Sequence, residues 1–182
     1  GISGGWTPAV HLFTQSGGKL KFREEDQVFI PNSYPSDQIS IGSCNGDLSL
    51  ADILINVPKV LKEFLNIKKT EYEDIEILSL ENRSKRNIWL TPSDKVLGKT
   101  KSFVDYQNDA TAKDIKLALR EGFRSIEHVK RYTTTGMGTD QGKLGNMHAL
   151  GIISETAGTK MGEHGTTTFR PPYTPLTFGT IV

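Results

Sequence analysis

Short alternations of polar and apolar residues mark the first part of the chain, residues 1–48, which is rich in turns. Two of them, 19–22 and 27–30, flank the charged segment Arg23–Asp26, which suits an exposed connection. Together they predict a β-hairpin. A further alternation, Ile39–Gly42, predicts another short strand after the hairpin.

Apolar residues then recur at helical spacing. Ser49 suits the N-cap of a helix from Leu50 to Asn66, whose apolar residues gather on one broad face. Pro58 is expected to kink or split this helix, because proline removes a backbone donor and crowds the preceding turn. The connecting segment that follows, residues 67–101, contains two further strand candidates. They are Ile75–Ile77 and Ile88–Leu90.

Residues 102–157 contain the best defined helix signals. Thr111 and Asp114 have the spacing of a capping box, and Gly122 suits the C-terminal end of the helix behind it. Ser125 opens a second short helix that runs through Tyr132.

A third helix is predicted from the cap residue Asp140, covering Leu144 to Ile152 and fraying at Gly158. Three short helices joined by tight turns predict a small helical domain. The tail, residues 158–182, is rich in threonine and proline and is predicted to be extended. It is interpreted as a linker or as a strap across a partner.

Composition narrows the class of protein. The chain has 182 residues, 36% of them hydrophobic and 24% charged, with a formal net charge of +1. This is a soluble globular profile without the basic patch that nucleic acid or an anionic membrane requires. No apolar run approaches the roughly 20 residues of a membrane span. Cys44 is the one cysteine, so no internal disulfide can form and a reducing, cytoplasmic location is expected.

The usual nucleotide-binding motifs are absent, since neither GxGxxG nor GxxxxGK[ST] occurs. The turn 42–47, with Asn45 and Gly46, precedes the first predicted helix and can present backbone N–H groups to a phosphate or ribityl chain. An ordinary strand–turn–helix junction is the alternative. Cys44 has no histidine nearby and is predicted to be an inert thiol, and the histidines show no metal-binding spacing.

Two groups of polar residues lie at helix turns of the third part. The second helix carries His128, Lys130 and Arg131. Either these residues form an anion site or they are a solvated face of the helix. Asp140–Lys143 opens the third helix, where a helix N-terminus with a nearby lysine attracts anions. A capping Asp140 weakens that attraction, because its carboxylate fills part of the same role.

Two stretches carry a family resemblance. The stretch from Phe103 to Lys143, with Tyr132-Thr133-Thr134 and Gly136-Met137-Gly138-Thr139-Asp140-Gln141-Gly142-Lys143, resembles the alpha subunit of heterotetrameric sarcosine oxidases. There it is similar to the segment between the dinucleotide-binding region and the aminomethyltransferase-like folate domain. Thr166–Pro175 resembles the approach to that folate domain, and Ser3–Leu12 with Gly42–Gly46 is similar to the close of the nucleotide-binding domain.

The resemblance implies a mixed α/β fold that is a segment of a longer chain. Residues 1–66 are expected to be the C-terminal part of a nucleotide-binding domain, with hairpin, strand and helix, and 67–101 a connection. Residues 102–157 are expected to form a three-helix domain similar to the bacterioferritin-associated ferredoxins, and 158–182 a linker.

In such ferredoxins four cysteines hold a [2Fe–2S] cluster. The corresponding positions in this chain are Asp105, Gln107, Asp140 and Gly145. An iron–sulfur cluster needs thiolates or, in a few types, histidines. The resemblance therefore implies a ferredoxin-like scaffold without a cluster.

The family oxidises sarcosine to glycine and hydrogen peroxide and passes a one-carbon unit to tetrahydrofolate. It uses FAD, FMN and NAD, with zinc in a small subunit. The resemblance implies beta, gamma and delta partner subunits, the rest of the alpha subunit, and an FMN at the alpha–beta boundary. The fragment is expected to be inactive alone and to carry no catalytic residue. The candidate FMN-binding residues are His128, Lys130, Arg131, Thr133, Thr134, Gln141 and Lys143.

Two other functions stay open. One is an interaction module that binds another polypeptide of the complex and no cofactor. The other is one component of a related amine or imino-acid dehydrogenase, because the substrate would be chosen by another subunit.

Overall fold

The computed structural model describes residues 6–35, 37–67, 87–171, 174 and 176–182. The chain divides into two compact units, Gly1–Arg86 (unit 1) and Asn87–Val182 (unit 2). Both α-helices and small antiparallel sheets are present, so the predicted mixed α/β class is confirmed. The predicted strand Ile75–Ile77 lies outside the described residues.

Unit 1 is built around the predicted hairpin. A short helix, α1 (His11–Gln15), leads into β1 (Lys19–Arg23) and β2 (Val28–Ser33), which pair antiparallel. Gln27 has a positive φ in the connection, as tight turns between strands often require. The apolar core of this unit comprises Val10, Phe13, Val28, Phe29 and Ile30.

The strand predicted at Ile39–Gly42 is wrong. Residues 38–41 have no regular structure, and Gly42–Asn45 form a 3₁₀ turn instead. The alternation of apolar residues was genuine, but a strand also needs a hydrogen-bonding neighbour. In the described part of unit 1, β1 and β2 pair only with each other.

The predicted helix of unit 1 is confirmed as α2 (Leu50–Phe64), two residues shorter than expected. The Ser49 side chain accepts a hydrogen bond from the Asp52 backbone N–H, as an N-cap should. The helix continues through Pro58 as one element, so the proline does not split it. None of its side chains is buried, and several of its apolar residues, among them Leu50 and Phe64, are exposed.

The strand predicted at Ile88–Leu90, near the start of unit 2, is wrong, because these residues form no strand. Trp89 instead packs its indole ring on Gly151, and it lies edge-on to His148. Its packing explains the apolar segment without any strand. The sheet of unit 2 is a small hairpin, β3 (Phe103–Asp105) with β4 (Ala110–Thr111).

The first two helices of unit 2 follow the sequence closely. The capping box is confirmed at the start of α3 (Ala112–Arg120), where Thr111 and Asp114 each bond the other's backbone N–H. Gly122 follows the helix with a φ of +99°, which glycine adopts at little cost. The second helix is α4 (Ile126–Thr133).

The third helix does not begin at Asp140, and that prediction is wrong. It is α5 (Asn146–Ala157), with Gly145 at the N-cap. Gln141 and Gly142 have positive φ, and a right-handed helix cannot pass through such residues. Leu144, expected on the packed face, is 73% exposed. The C-terminal end is as predicted, at Gly158 in the left-handed conformation.

Two short helices, α6 (Met161–His164) and α7 (Phe178–Ile181), complete unit 2, and both interrupt the tail 158–182 that was predicted to be extended. The core lies between α3, α4 and α5, with Ile115, Val129, Ile152 and Ile153 almost fully buried. No helix in the described part of the chain has the length and hydropathy of a membrane span.

Candidate functional site

The connection between α4 and α5, residues 134–145, is called the α4–α5 loop. Its backbone is unusually wound, because many of its residues have positive φ. They are Thr134, Gly136, Gly138, Gln141 and Gly142. A Cβ atom on Gly136 or Gly142 would overlap the Asn146 side chain, which fills the interior of the loop. Glycine is therefore required at these two positions for space as well as for φ.

The tip of the β3–β4 hairpin holds this loop from one side. Asp105 Oδ2 accepts a hydrogen bond of 2.7 Å from the Gly136 N–H. Gln107 Oε1 accepts one of 3.0 Å from the Asp140 N–H, and Gln107 Nε2 donates one of 2.8 Å to Thr139 Oγ1. Two side chains thus bond three groups that lie about thirty residues further along the chain.

A segment of the tail holds the loop from the other side. We call residues 166–170 the strap; Thr167 and Phe169 are buried in it. Gln141 Oε1 accepts from the Arg170 N–H at 3.1 Å, and Asn146 Nδ2 donates to Thr167 Oγ1 at 2.6 Å. The strap therefore packs on its own unit, and its contact with a partner stays a prediction.

Helix α4 fixes the middle of the strap. Glu127 Oε1 accepts from the Thr168 N–H at 2.9 Å, and Lys130 Nζ donates to the Thr168 carbonyl at 3.3 Å. Glu127 also pairs with Arg131, at 3.2 Å between Oε2 and Nη1. One carboxylate therefore faces two cations of the same helix.

Lys130 has the most unusual environment among the candidate residues. The residue is only 7% exposed. Burial lowers the pKa of its amine below the ordinary value, the Glu127 carboxylate partly opposes this, and the positive charges of Arg170 and Arg131 lower the pKa further. Arg170 therefore lies close enough to Lys130 to repel it. The surroundings carry more positive than negative charge.

The other candidates of unit 2 have different environments. The Thr133 hydroxyl is buried and donates to the Val129 carbonyl at 2.8 Å, a structural role within α4. His128 and Thr134 are exposed, and Lys143 is half-buried. The structure thus brings Lys130 and Gln141 to the strap and pairs Arg131 with Glu127, while Thr133 faces the core.

Asn45 and Gly46 lie in unit 1, in the turn before α2. The Gly46 carbonyl accepts a hydrogen bond of 2.8 Å from Arg23 Nη2 of the hairpin. A Cβ atom on Gly46 would stand only 2.8 Å from that same nitrogen, and its φ is +86°. Arg23 therefore occupies one side of this turn, and the glycine is explained by its packing.

A cavity of about 100 Å³ opens beside the hairpin tip. It is lined by Val104, Asp105, Tyr106, Gln107, Asp140, Leu144 and Gly145. This lining includes all four positions that correspond to cluster cysteines in the ferredoxin-like pattern. Among the described residues, no three histidine, cysteine or acidic side chains are grouped as a metal site would need.

Comparison with known proteins places this arrangement in a family. Residues 99–182 match the sarcosine oxidase A3 domain. The whole chain is similar to the sarcosine oxidase alpha subunit of Rhizobium meliloti (strain 1021), with 39% identity over 99% of this chain and 18% of the relative. The sarcosine oxidase alpha subunit of Corynebacterium sp. (strain P-1) is 34% identical over 99% of this chain and 19% of the relative. Residues 99–182 belong to the sarcosine oxidase A3 domain family. The chain spans about a fifth of the length of the alpha-subunit relatives it matches.

Two further similarities extend beyond that family. An opine oxidase subunit of Rhizobium meliloti (strain 1021) is 33% identical over 50% of this chain and 19% of the relative. The crystal structure of L-proline dehydrogenase from P. horikoshii matches 99% of this chain and 38% of its own, with a TM-score of 0.57 and 21% identity. At that identity the likeness shows a shared fold alone.

Sequence reasoning missed several residues of the site in this family member. Thr168 accepts a hydrogen bond from Lys130, the Glu127 carboxylate attracts its charge and Arg170 repels it, yet none of the three was a candidate. Arg170 stands in the family-like tail segment, so its charge was visible in the sequence. What the sequence could not show is that the tail folds back onto α4.

Proposed function

We propose that this chain is part of the alpha subunit of a multi-subunit, flavin-dependent sarcosine oxidase. That enzyme would convert sarcosine to glycine and hydrogen peroxide and pass the one-carbon unit to tetrahydrofolate. The observation that supports a role for this chain is the cationic surrounding of the strap, where Lys130, Arg131 and Arg170 accompany the single carboxylate of Glu127.

The chemistry of this region fits the phosphate of FMN. A phosphate needs positive charge and N–H donors, and arginine is suited to bind it through two donors at once. Lys130 and Arg131 already bond Thr168 and Glu127. They would therefore act mainly through their charge, together with Arg170 and Lys143, and the exposed His128 would offer a ring nitrogen for hydrogen bonding. Gln141, Thr133 and Thr134 would order the α4–α5 loop, since the first two make hydrogen bonds within unit 2.

When bound, FMN supplies the electron transfer to oxygen, and this chain supplies binding and orientation. We assign no catalytic residue to it. FAD and the amine oxidation would belong to the beta subunit, NAD to the remainder of the alpha subunit, and zinc to a small subunit. Gamma and delta subunits would complete a cytoplasmic heterotetramer, with unit 2 near the alpha–beta boundary. Asn45 and Gly46 would lie in the nucleotide-binding part of the alpha subunit.

The ferredoxin-like origin of unit 2 belongs to the same proposal. It is supported by the common cavity of Asp105, Gln107, Asp140 and Gly145. Protein purified without chelators should contain no stoichiometric iron, because these four positions offer no thiolate. Near-stoichiometric iron in a metal assay would contradict this assignment.

The direct test is a titration of the 182-residue chain with FMN, followed by flavin fluorescence and calorimetry. Micromolar binding is expected, and riboflavin, which lacks the phosphate, should bind at least about tenfold more weakly. Arg170→Gln should weaken FMN binding by about tenfold through loss of charge. Lys113→Met, on the exposed side of α3, is the matched control and should leave it unchanged. Equal binding of FMN and riboflavin would contradict the phosphate assignment, and no binding of either would favour the interaction module.

A related amine or imino-acid oxidising enzyme is the second candidate. The observation in its favour is the 33% identity to the opine oxidase relative over half of this chain. The two candidates share the proposed flavin site and differ in substrate. Assays of the assembled enzyme with sarcosine, proline and an opine would separate them.

A further inference from the structure

Gln107 connects two parts of unit 2 that are far apart in sequence. It lies in the turn of the β3–β4 hairpin, and both ends of its amide bond the α4–α5 loop. Nε2 donates to Thr139 Oγ1 at 2.8 Å, and Oε1 accepts from the Asp140 N–H at 3.0 Å. A Cβ atom on Gly138 would lie 3.2 Å from Oε1, so the loop backbone approaches the amide closely.

The loop segment that Gln107 bonds has a backbone conformation of high free energy. Gly138 and Gln141 have positive φ on either side of the bonded residues Thr139 and Asp140. For Gln141, which has a Cβ atom, this conformation is sparsely populated and persists only where surrounding contacts impose it. The Gln107 amide is one such contact, the strap, through Arg170, is another, and Asn146 also bonds the Gln141 carbonyl.

The consequence reaches the proposed flavin site, because Gln141 and Lys143 closely follow Asp140 along the chain. We propose that Gln107 is a positioning residue for that site, fixing the α4–α5 loop in the conformation that binds FMN. This inference rests on the proposed function. A preorganised loop binds its ligand more tightly, because the entropy of ordering the loop is lost on folding and not on binding.

The test uses the 182-residue chain and the variants Gln107→Met and Thr139→Val. The first keeps the length of the side chain and removes both polar ends, and the second removes one partner from the loop side. Thr139→Ser retains the hydroxyl and serves as the conservative rescue. Gln38→Met, a residue of unit 1 whose amide bonds Ser16, is the matched control for the loss of a glutamine.

Two measurements are made on each variant. Hydrogen exchange at the Asp140 amide reports whether Gln107 holds the loop, and FMN titration reports the effect on FMN binding. Gln107→Met should speed exchange at Asp140 by about tenfold or more while core amides such as Ile115 and Ile152 keep their protection. It should weaken FMN binding by about tenfold, with Thr139→Val intermediate and Thr139→Ser close to the parent chain.

The outcomes separate this inference from the proposed function. An unchanged exchange rate at the Asp140 amide in Gln107→Met would show that the Gln107 hydrogen bonds do not hold the loop, and the inference would be wrong. Faster exchange with unchanged FMN affinity would overturn the positioning role alone. If the parent chain binds no FMN, the proposed function fails, and the positioning role fails with it whatever the exchange rates are. Loss of protection throughout unit 2 in both variants would show a general structural role and would also overturn the inference.

Discussion

A buried amine destabilises a folded protein while it is charged, and Lys130 is such a group. Its pKa is lowered by burial from an ordinary value of 10.5. Between the lowered pKa and 10.5 the unfolded chain binds more protons than the folded chain, so the stability of the fold rises with pH in this window. Below the lowered pKa, the full cost of burying the charge is present.

Lys130→Met should therefore remove one component of the pH dependence of stability. We expect the free energy of unfolding of the parent chain, relative to the variant, to increase as the pH rises from neutral toward 10.5. Urea denaturation at several pH values measures this, with Lys113→Met as the control. Parallel curves for the parent chain and Lys130→Met would show that Lys130 titrates alike in both states.

Gly151 is a second residue whose environment gives a direct prediction. An added Cβ atom would overlap the indole ring of Trp89, so Gly151→Ala must displace the ring. Overpacking costs about 1–3 kcal/mol, and the upper half of this range exceeds the roughly 1 kcal/mol that alanine gains as a helix former. We expect a lower melting temperature by calorimetry. Gly179→Ala, a helical position with no atom within 4 Å of the added Cβ, should not lower it.

At the scale of the element, two helix N-termini of unit 2 form a matched pair. Thr111 caps α3 through a complete capping box, whereas Ser125 at the start of α4 makes no side-chain cap hydrogen bond. Thr111→Ala should cost about 0.5–2 kcal/mol of stability, and Ser125→Ala should cost less than about 0.5 kcal/mol. Urea denaturation measures both, and equal losses would contradict the assignment of the caps.

The same comparison explains which elements the sequence could predict. The capping box, the hairpin and the Ser49 cap are encoded by residues within a few positions of one another. The strand predicted at Ile39–Gly42 has no neighbouring strand to pair with among the described residues, and the one predicted at Ile88–Leu90 contains Trp89, which packs elsewhere. Trp89 packs on Gly151 about sixty positions away, which no local pattern contains.

The prediction that a helix begins at Asp140, in the α4–α5 loop, was wrong for a related reason. Asp140 has a capping residue's identity, yet its N–H is taken by Gln107 and the helix begins only at Asn146. The adjacent charges of Lys130 and Arg131 are visible in the sequence, and their role in binding FMN stays a prediction. The position of the strap was not predictable, since contacts such as that between Glu127 and Thr168 join residues about forty positions apart.

At the scale of the molecule, the two units differ in the size of their buried apolar cores. Unit 2 has a core drawn from its own residues, from Val104 to Phe169. In unit 1, α2 leaves apolar side chains such as Leu50, Leu54 and Phe64 exposed. Exposed apolar area of this kind promotes association.

Separate expression of the units should expose this difference. Residues 87–182 are expected to unfold in one cooperative transition by calorimetry, because they contain the larger buried core. Residues 1–86 are expected to self-associate in analytical ultracentrifugation, and Leu54→Lys with Phe64→Lys should reduce that association. A monomeric unit 1 before substitution would show that the exposed face of α2 is tolerated.

The placement of the two tryptophans gives each unit a different optical response. Trp6 is 88% exposed in unit 1, whereas Trp89 lies against α5 in unit 2. Denaturation therefore changes the surroundings of one indole and hardly those of the other. A shift of the intrinsic tryptophan emission to longer wavelength will report the loss of structure in unit 2, with no label attached to the chain.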